Sequence, residues 1–329
     1  MRLRLVVPLD VHTPTGGNTY DLALAEALGA AGDEVELVRC DRSGVRDAVR
    51  QPWDGPTMVD GLLACAQPEV VGSARVAVLV HMPLALQTGL AAEEAAAIDR
   101  RERQALHAAA VVVATSQWSA GHLIRHHQLA DVAVARPGAD PAPVGSGSDP
   151  PLLVHVAALL PHKDQLGVVA ALSELTDLPW RARLAGSVDR DPGYTAAVRS
   201  ALDAARLHDR IEIAGELARD TAWAGADLAL LPSLVETFGL VVTEALARGV
   251  PALVSAGGPS EALGRTPTGD VPGVVVPVGD HDALRAALQH WLTDEKHRRH
   301  LRAAALARRE TLEGWDNTAD HVRRALRNL

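Results

Sequence analysis

The sequence predicts an α/β protein made of two doubly wound domains, each with a parallel sheet covered on both faces. Three observations lead there. Short apolar runs alternate with helical stretches along almost the whole chain. At 329 residues the chain is too long for one ordinary open sheet and suits two separate cores. A stretch rich in Pro, Gly and Ser, residues 141–151, interrupts the alternation near the middle.

The elements follow in order. Residues 3–7 read as a buried strand, then a loop carries Gly16 and Gly17, and a helix is expected over Thr19–Ala31 before Gly32. Val35–Val38 is the next strand, which makes a βαβ opening with a glycine pair where a ligand could approach the backbone. A plain tight turn explains the pair equally well. The opening lacks G-x-G-x-x-G, so no nicotinamide dinucleotide site is supported. Val76–Val80 is a strand ending at His81, where the side chain would point into the crevice at the C-terminal edge of the sheet; a packed or solvated histidine is the plainer alternative. A helix over Glu93–Ala109, a strand over Val111–Ala114 and a helix over Trp118–His126 with Ser116 as its N-cap come next. His126-His127 has no matching ligand spacing and reads as a helix end rather than a metal site. Val132–Ala135 closes this half.

The expected division is an N-terminal domain over 1–143, a linker over 144–151, a C-terminal domain over 152–310, and a terminal helix in 311–329 that returns to the first domain. In the second half, strands are expected at Leu153–Ala157, Arg181–Ala185, Ile211–Ala214, Leu228–Leu231, Ala252–Ser255 and Val274–Pro277. Helices are expected at Asp164–Leu175, Gly193–Ala205, Leu240–Arg248, Asp282–Thr293, Asp294–Glu310 and Trp315–Arg327. The cleft that two such domains would make is the expected place for the site.

Composition bounds the function. A hydrophobic fraction of 47% with 22% charged residues is that of a globular protein, and 3% aromatics means a core of Ala, Val and Leu. The net charge of −9 argues against a nucleic-acid partner. In residues 1–145 acidic side chains outnumber basic ones, so membrane association is not expected. The arginine-rich run over 296–309 reads as the solvated face of a helix. No apolar run approaches a membrane span, the first residues read as a strand rather than a signal peptide, and Cys40 and Cys65 are lone thiols. A cytoplasmic location is the expectation.

The chemistry concentrates in residues 230–251. An apolar strand ends at Pro232-Ser233, Gly239 opens a helix, and Gly249 with Pro251 stops it. The amides at Phe238, Gly239 and Leu240 would form a helix N-terminus, a natural anion site. Glu236 stands in the loop before it and Glu244 one turn inside it. A carboxylate accepts two hydrogen bonds from a diol, so the pair suits a phosphate-bearing sugar; two surface glutamates on an ordinary turn are the alternative. Phe238, the sole phenylalanine, reads equally as a core plug.

At this point the chain resembles the retaining GT-B glycosyltransferases of family GT4. The match rests on Pro232-Ser233 followed by Glu236-Thr237-Phe238-Gly239-Leu240 and Glu244-Ala245, the E-x7-E pattern in its usual context. Gly16-Gly17, Ser116, Pro137–Asp140, Leu160–Lys163, Gly186, Gly215, Gly249–Pro251, Gly257-Gly258 with Glu261, and Trp315 continue the register. The resemblance implies two Rossmann-like domains facing a central cleft, with a nucleoside-diphosphate sugar held mainly by the second. It implies that Glu244 holds the ribose, and that Glu236 with the 238–240 amides holds the sugar and diphosphate. Lys163 would neutralise the diphosphate, Gly16-Gly17 would close over it, Gly215 and Thr237 would line the site, and His81 would lie beside the reacting sugar. No Asp-x-Asp pair ends a predicted strand, so no metal or other cofactor is expected. The family usually has Gly-Arg ahead of its lysine, but here Ala158 stands where the arginine would, and His162 or an arginine from elsewhere is the expected substitute. That departure keeps open a non-catalytic protein that binds a sugar nucleotide or a partner, and another GT-B reaction, sugar-nucleotide epimerisation, is a separate alternative. The expected partners are a sugar nucleotide and a small soluble acceptor.

Overall fold

A computed structural model describes the chain apart from residues 12, 14, 74, 88 and 328 and the side chain of residue 73. His12 and Pro14 of the first loop thus lie outside the described residues. The chain divides into two compact units, Met1–Ala139 together with Glu313–Leu329, and Asp140–Leu312. The first boundary falls four residues earlier than the expected 143. Residues 144–151 are bound into the second unit rather than hanging free. Gly145 N–H donates to the Arg248 carbonyl (2.9 Å), and the Ser148 and Leu152 amides donate to one oxygen of Asp227 (3.0 and 2.9 Å).

In the first unit six strands form one parallel sheet: β1 (Arg2–Pro8), β2 (Glu34–Cys40), β3 (Thr57–Asp60), β4 (Val76–Val80), β5 (Val111–Ala114) and β6 (Ala133–Val134). Their order is β2-β1-β3-β4-β5-β6. The order reverses between β1 and β3, the point where such sheets bind ligands. Central strands of this sheet are wholly buried, with Leu5, Val59, Val78 and Val113 inaccessible to solvent, as parallel strands covered on both faces must be. Helices on one face bring Leu106 and Leu123 to the core; on the other, Tyr20, Leu24 and Leu28 pack with Ala319, Val322 and Leu326 of the terminal helix Trp315–Leu326.

The second unit repeats the plan with β7 (Leu152–Val156), β8 (Arg181–Ala185), β9 (Ile211–Gly215), β10 (Ala226–Leu231), β11 (Ala252–Ser255) and β12 (Gly273–Val276). The order β12-β11-β10-β7-β8-β9, all parallel, is that of a doubly wound dinucleotide-binding sheet. Its switch point lies between β7 and β10. One core cluster holds Leu172, Trp180, Leu202, Leu288 and Trp291; the other holds Leu231, Val242, Leu246 and Leu263 on the opposite face.

Three expectations need correction. Strand β3 is not among the predicted strands, because Thr57-Met58-Val59-Asp60 offers only two apolar residues, although all four are buried at the sheet's centre. The first helix begins at Gly16, not Thr19: Thr15 caps it by accepting from the Asn18 amide at 3.1 Å, so the glycine pair forms the helix's first turn. The arginines of the 296–309 run are not simply a solvated face. Arg298 donates to the Leu292 carbonyl, Arg302 to Gly145, Arg308 to Leu263 and Arg309 to Ala247 and Ala142, tying the helix Glu295–Arg309 to its surroundings. Among the described residues no helix is long and apolar enough to cross a membrane.

Candidate active site

The second unit builds its site where the sheet order reverses. Strand β7 leads into a short turn, Pro161–Lys163, and β10 leads into the loop 232–239. The two loops are stapled together. Leu234 N–H donates to the His162 carbonyl (2.8 Å), and the Ser255 hydroxyl donates to the Ser233 carbonyl (2.7 Å). The staple brings Lys163 Nζ to 2.6 Å from Glu236 Oε2, while Glu236 Oε1 accepts from the Thr237 amide at 3.1 Å. Burial pushes the Glu236 carboxyl up, but the ammonium beside it outweighs this and holds it below the usual carboxylate range. Glu236 is therefore ionised at neutral pH, and most of both side chains is withdrawn from water.

Gly239 is the N-cap of the helix Leu240–Ala247 with φ of 91°, a left-handed conformation that favours glycine. A Cβ there would stand 2.7 Å from Leu231 Cδ2. Among the described residues no side chain caps this helix, so its first amides keep the positive end of the dipole available. Phe238 is 6% exposed and packs with Leu231 and Val242: its side chain is a core plug, and only its backbone faces the chemistry. The loop is pressed against the start of the helix Gly258–Leu263, where a Cβ on Gly258 would meet the Thr237 carbonyl at 2.0 Å. Gly215 ends β9, and its carbonyl accepts from Gly186 at 2.8 Å.

Glu244 lies inside the helix with both carboxylate oxygens engaged. Arg219 Nε is 3.4 Å from Oε1, and Trp223 Nε1 is 3.4 Å from Oε2. Burial raises its pKa, with Arg219 opposing. Arg219 also reaches Asp140 at 3.2 Å, so it is shared between two acids. Ala158, at the position of the missing arginine, is partly buried, and its carbonyl accepts from Gln165 at 3.0 Å. His162 does not replace that arginine. Burial first, and Lys163 second, push it down to about 4, so it is neutral at pH 7. Arg190, on the loop after β8, contributes positive potential at the same histidine.

In the first unit the site gathers at the edge where β1, β3 and β4 end. His81 Nε2 lies 2.9 Å from Asp21 Oδ1 and 3.3 Å from Asp60 Oδ2. Asp21 is inaccessible to solvent. Asp60 also caps the turn that follows, accepting from the Leu62 amide at 2.7 Å. Burial alone would lower the His81 pKa, but the two carboxylates outweigh it and lift it to about 10. Asp21 is pushed up to about 6 by burial, against the pull of His81. The imidazole is thus a fixed cation at neutral pH and has no capacity to act as a base there. Gly17 passes close: a Cβ on it would stand 3.1 Å from His81 Cδ2. Behind the ring, Tyr20 makes an edge contact at 5.2 Å and is itself backed edge-on by Trp315 at 5.5 Å.

The structure therefore brings Lys163, Glu236, Thr237 and Gly239-Leu240 together in one unit, and Gly16-Gly17 with His81 in the other. Sequence reasoning missed Asp21, Asp60, Arg219 and Trp223. Asp60 carried one usable signal, an Asp before Gly61-Leu62 that suits an N-cap; the others carried none. It also missed that Asp99 meets His126 at 2.5 Å, next to a helix end that was expected to lack ligand partners.

Comparison with known proteins supplies the family. Residues 139–308 match the model of glycosyl transferases group 1. A D-inositol 3-phosphate glycosyltransferase of Kineococcus radiotolerans is 32% identical over 252 residues, 67% of this chain and 57% of that protein. Another of that name, from Thermomonospora curvata, is 36% identical over 100 residues, 30% of this chain and 22% of that protein. The match thus spans little more than half the length of the first relative. Among solved structures, a sucrose-phosphate synthase of Thermosynechococcus elongatus superposes with a TM-score of 0.82 at 20% identity, over 99% of this chain and 98% of that one. Anabaena HepE in complex with UDP-glucose gives 0.77 at 17% identity over the whole of both chains. These likenesses are of fold, and the fold is GT-B, two six-stranded parallel sheets. With the family model spanning more than half its length, the chain belongs to the group 1 glycosyl transferases.

Proposed function

We propose that the protein is a retaining, metal-independent glycosyltransferase that moves a sugar from a nucleoside diphosphate to a small soluble acceptor. The observation that carries this reading is the Lys163–Glu236 pair at the switch point of the second sheet, next to an uncapped helix N-terminus. Expelling a nucleoside diphosphate develops negative charge on the β-phosphate. Lys163 and the 239–240 amides are a preorganised set of donors for that charge, and one well-placed donor of this kind contributes on the order of 3 kcal/mol. Glu236, held ionised, has a free share of its oxygens for the hydroxyls of the transferred sugar or for its oxocarbenium character. Glu244 takes the ribose diol, exchanging the long contacts from Arg219 and Trp223 for shorter ones.

In the first unit, His81 acts as a fixed cation rather than a base, oriented by Asp21 and Asp60. Retention of configuration rests on family membership alone, and a front-face displacement is the expected course. The relatives named for D-inositol 3-phosphate and the neighbour crystallised with UDP-glucose support a small polar acceptor and a nucleoside diphosphate-sugar donor.

Ala158 favours one competing reading, a protein that binds the sugar nucleotide without turning it over, because one phosphate-directed cation is missing and His162 is neutral. Donor hydrolysis separates the two. Slow release of nucleoside diphosphate that Glu236→Ala abolishes supports turnover. Binding without release by any donor supports the non-catalytic reading. Activity undiminished in excess EDTA is the expected result for metal independence; loss restored by magnesium contradicts it.

A further inference from the structure

The first unit holds a second group of histidines and carboxylates that the proposed reaction does not use. It lies between the helices Ala92–Ala108 and Gln117–His127. His127 is inaccessible to solvent, and its Nε2 is 3.0 Å from Glu102 Oε2. Glu102 is itself 1% exposed, and its other oxygen accepts from the Leu84 amide at 2.9 Å. A carboxylate only accepts, so in the neutral ring the Nε2 carries the proton and Nδ1 presents a lone pair. That buried Nδ1 has no hydrogen-bond partner among the described residues. An orphaned acceptor at full burial is a cost that a bound cation would remove. Alongside it, His126 Nε2 and Asp99 Oδ1 meet at 2.5 Å, and one ligand atom from each of Asp99, His126 and His127 lies within 4.8 Å of the others.

We propose that Asp99, His126 and His127 form a binding site for one divalent transition-metal ion of the zinc type, with Glu102 fixing the His127 ring from behind. Two imidazoles and one carboxylate are a donor set that zinc accepts, and a carboxylate on the far nitrogen of a ligating histidine fixes its tautomer and strengthens it as a ligand. Bond lengths of about 2.0–2.2 Å in a tetrahedron separate ligand atoms by roughly 3.3 Å. The Asp99–His126 hydrogen bond is shorter than that edge, so binding would displace the proton between them and move the partly exposed His126 ring away from Asp99. Asp99 and Glu102 offset the ion's charge. Arg103 stays engaged with the carbonyls of His126 and His127, at 2.7 and 3.2 Å. The partly exposed side leaves the fourth position to water. The ion would pin the end of one helix to the middle of the other.

The test is a zinc titration of the full chain, read by thermal unfolding and by calorimetric stoichiometry. His127 is too buried to replace safely, so the variants are His126→Ala and Asp99→Ala, both at partly exposed positions, with Asp60→Asn as a control at the His81 cluster. The expected result is one zinc per chain and a Tm rise of roughly 5 °C at a hundredfold excess over Kd, lost in His126→Ala and Asp99→Ala and kept in Asp60→Asn. No rise in the unaltered protein overturns the proposal. So does a rise that survives both helix variants, and so does one that disappears only in Asp60→Asn, which would put the ion beside His81.

Discussion

Both units set a cation among carboxylates at the C-terminal edge of a parallel sheet, but in opposite proportions. In the first, two buried carboxylates surround one imidazolium, and the ring is backed by Tyr20 and Trp315. Negative charge is in excess there, and the arrangement is closed on itself. In the second, one ammonium meets one carboxylate beside a helix N-terminus that no side chain caps. There the two charges balance, and the helix N-terminus adds partial positive charge where an anion can bind. The difference separates a device that holds its cation still from one that has a cation to share with a ligand. Ion pairs at the same place in the same sheet type need not do the same work.

The comparison can be broken first at the shared cation. Lys163→Ala is expected to lower kcat by about 10²–10³, because it removes a donor aimed at the leaving group and leaves Glu236 buried without its partner. A loss under tenfold, measured with saturating donor, would remove Lys163 from the chemistry. Next comes the helix start: Gly239→Ala forces a side chain into a left-handed backbone against Leu231, at an expected cost of about 1–3 kcal/mol. Urea unfolding that showed no change would mean the loop relaxes freely, and the anion site is not preorganised.

The closed cluster is sharpened by Asp21→Asn. With one of its two carboxylates gone, His81 should fall from about 10 toward its ordinary value near 6.5, visible as an imidazole titration by NMR; an unmoved titration would refute the assignment. The same pair predicts a pH dependence. Because the folded pKa is raised, the stability it contributes is complete below about pH 6.5 and is lost as pH rises through about 10. The Cys65 thiol and the Tyr20 phenol, both pushed up by burial, lose stability in the same direction as pH rises, so the His81 share is the part of the decline that Asp21→Asn removes. Urea unfolding at pH 7 and pH 10 should show the decline in the unaltered protein and a smaller one in Asp21→Asn. The smallest effect is expected from Trp315→Ala, a shift in the His81 titration of a few tenths of a pH unit at most, since Trp315 backs Tyr20, which makes the ring contact with His81.

What was legible in the sequence depended on how local its physics is. Strands β4, β5, β8 and β11 begin and end where the sequence places them. The turn from Pro232 to the helix at Leu240 was legible because proline, serine and glycine each constrain the backbone on their own. Strand β3 was not, since its burial comes from the strands on either side and not from its own composition. That Asp21 and Asp60 meet at His81 is invisible for a related reason, although Asp60 reads as an N-cap: only the packed fold brings a helix residue and two strand ends together. Asp99 and His126, 27 positions apart on two helices, meet by helix packing that periodicity does not specify. Lys163 and Glu236, 73 positions apart, were placed at one site only through family resemblance, and their ion pair was not foreseen.

The central claim is that the second unit's site holds a sugar nucleotide through Glu244 and the 236–240 loop. It is tested most directly by a thermal-shift screen of UDP-, GDP-, ADP- and dTDP-sugars on the unaltered protein and on Glu244→Ala. One nucleotide class is expected to raise the Tm, and the substitution to abolish the rise. A rise of the same size in Glu244→Ala, or none with any donor, would contradict it.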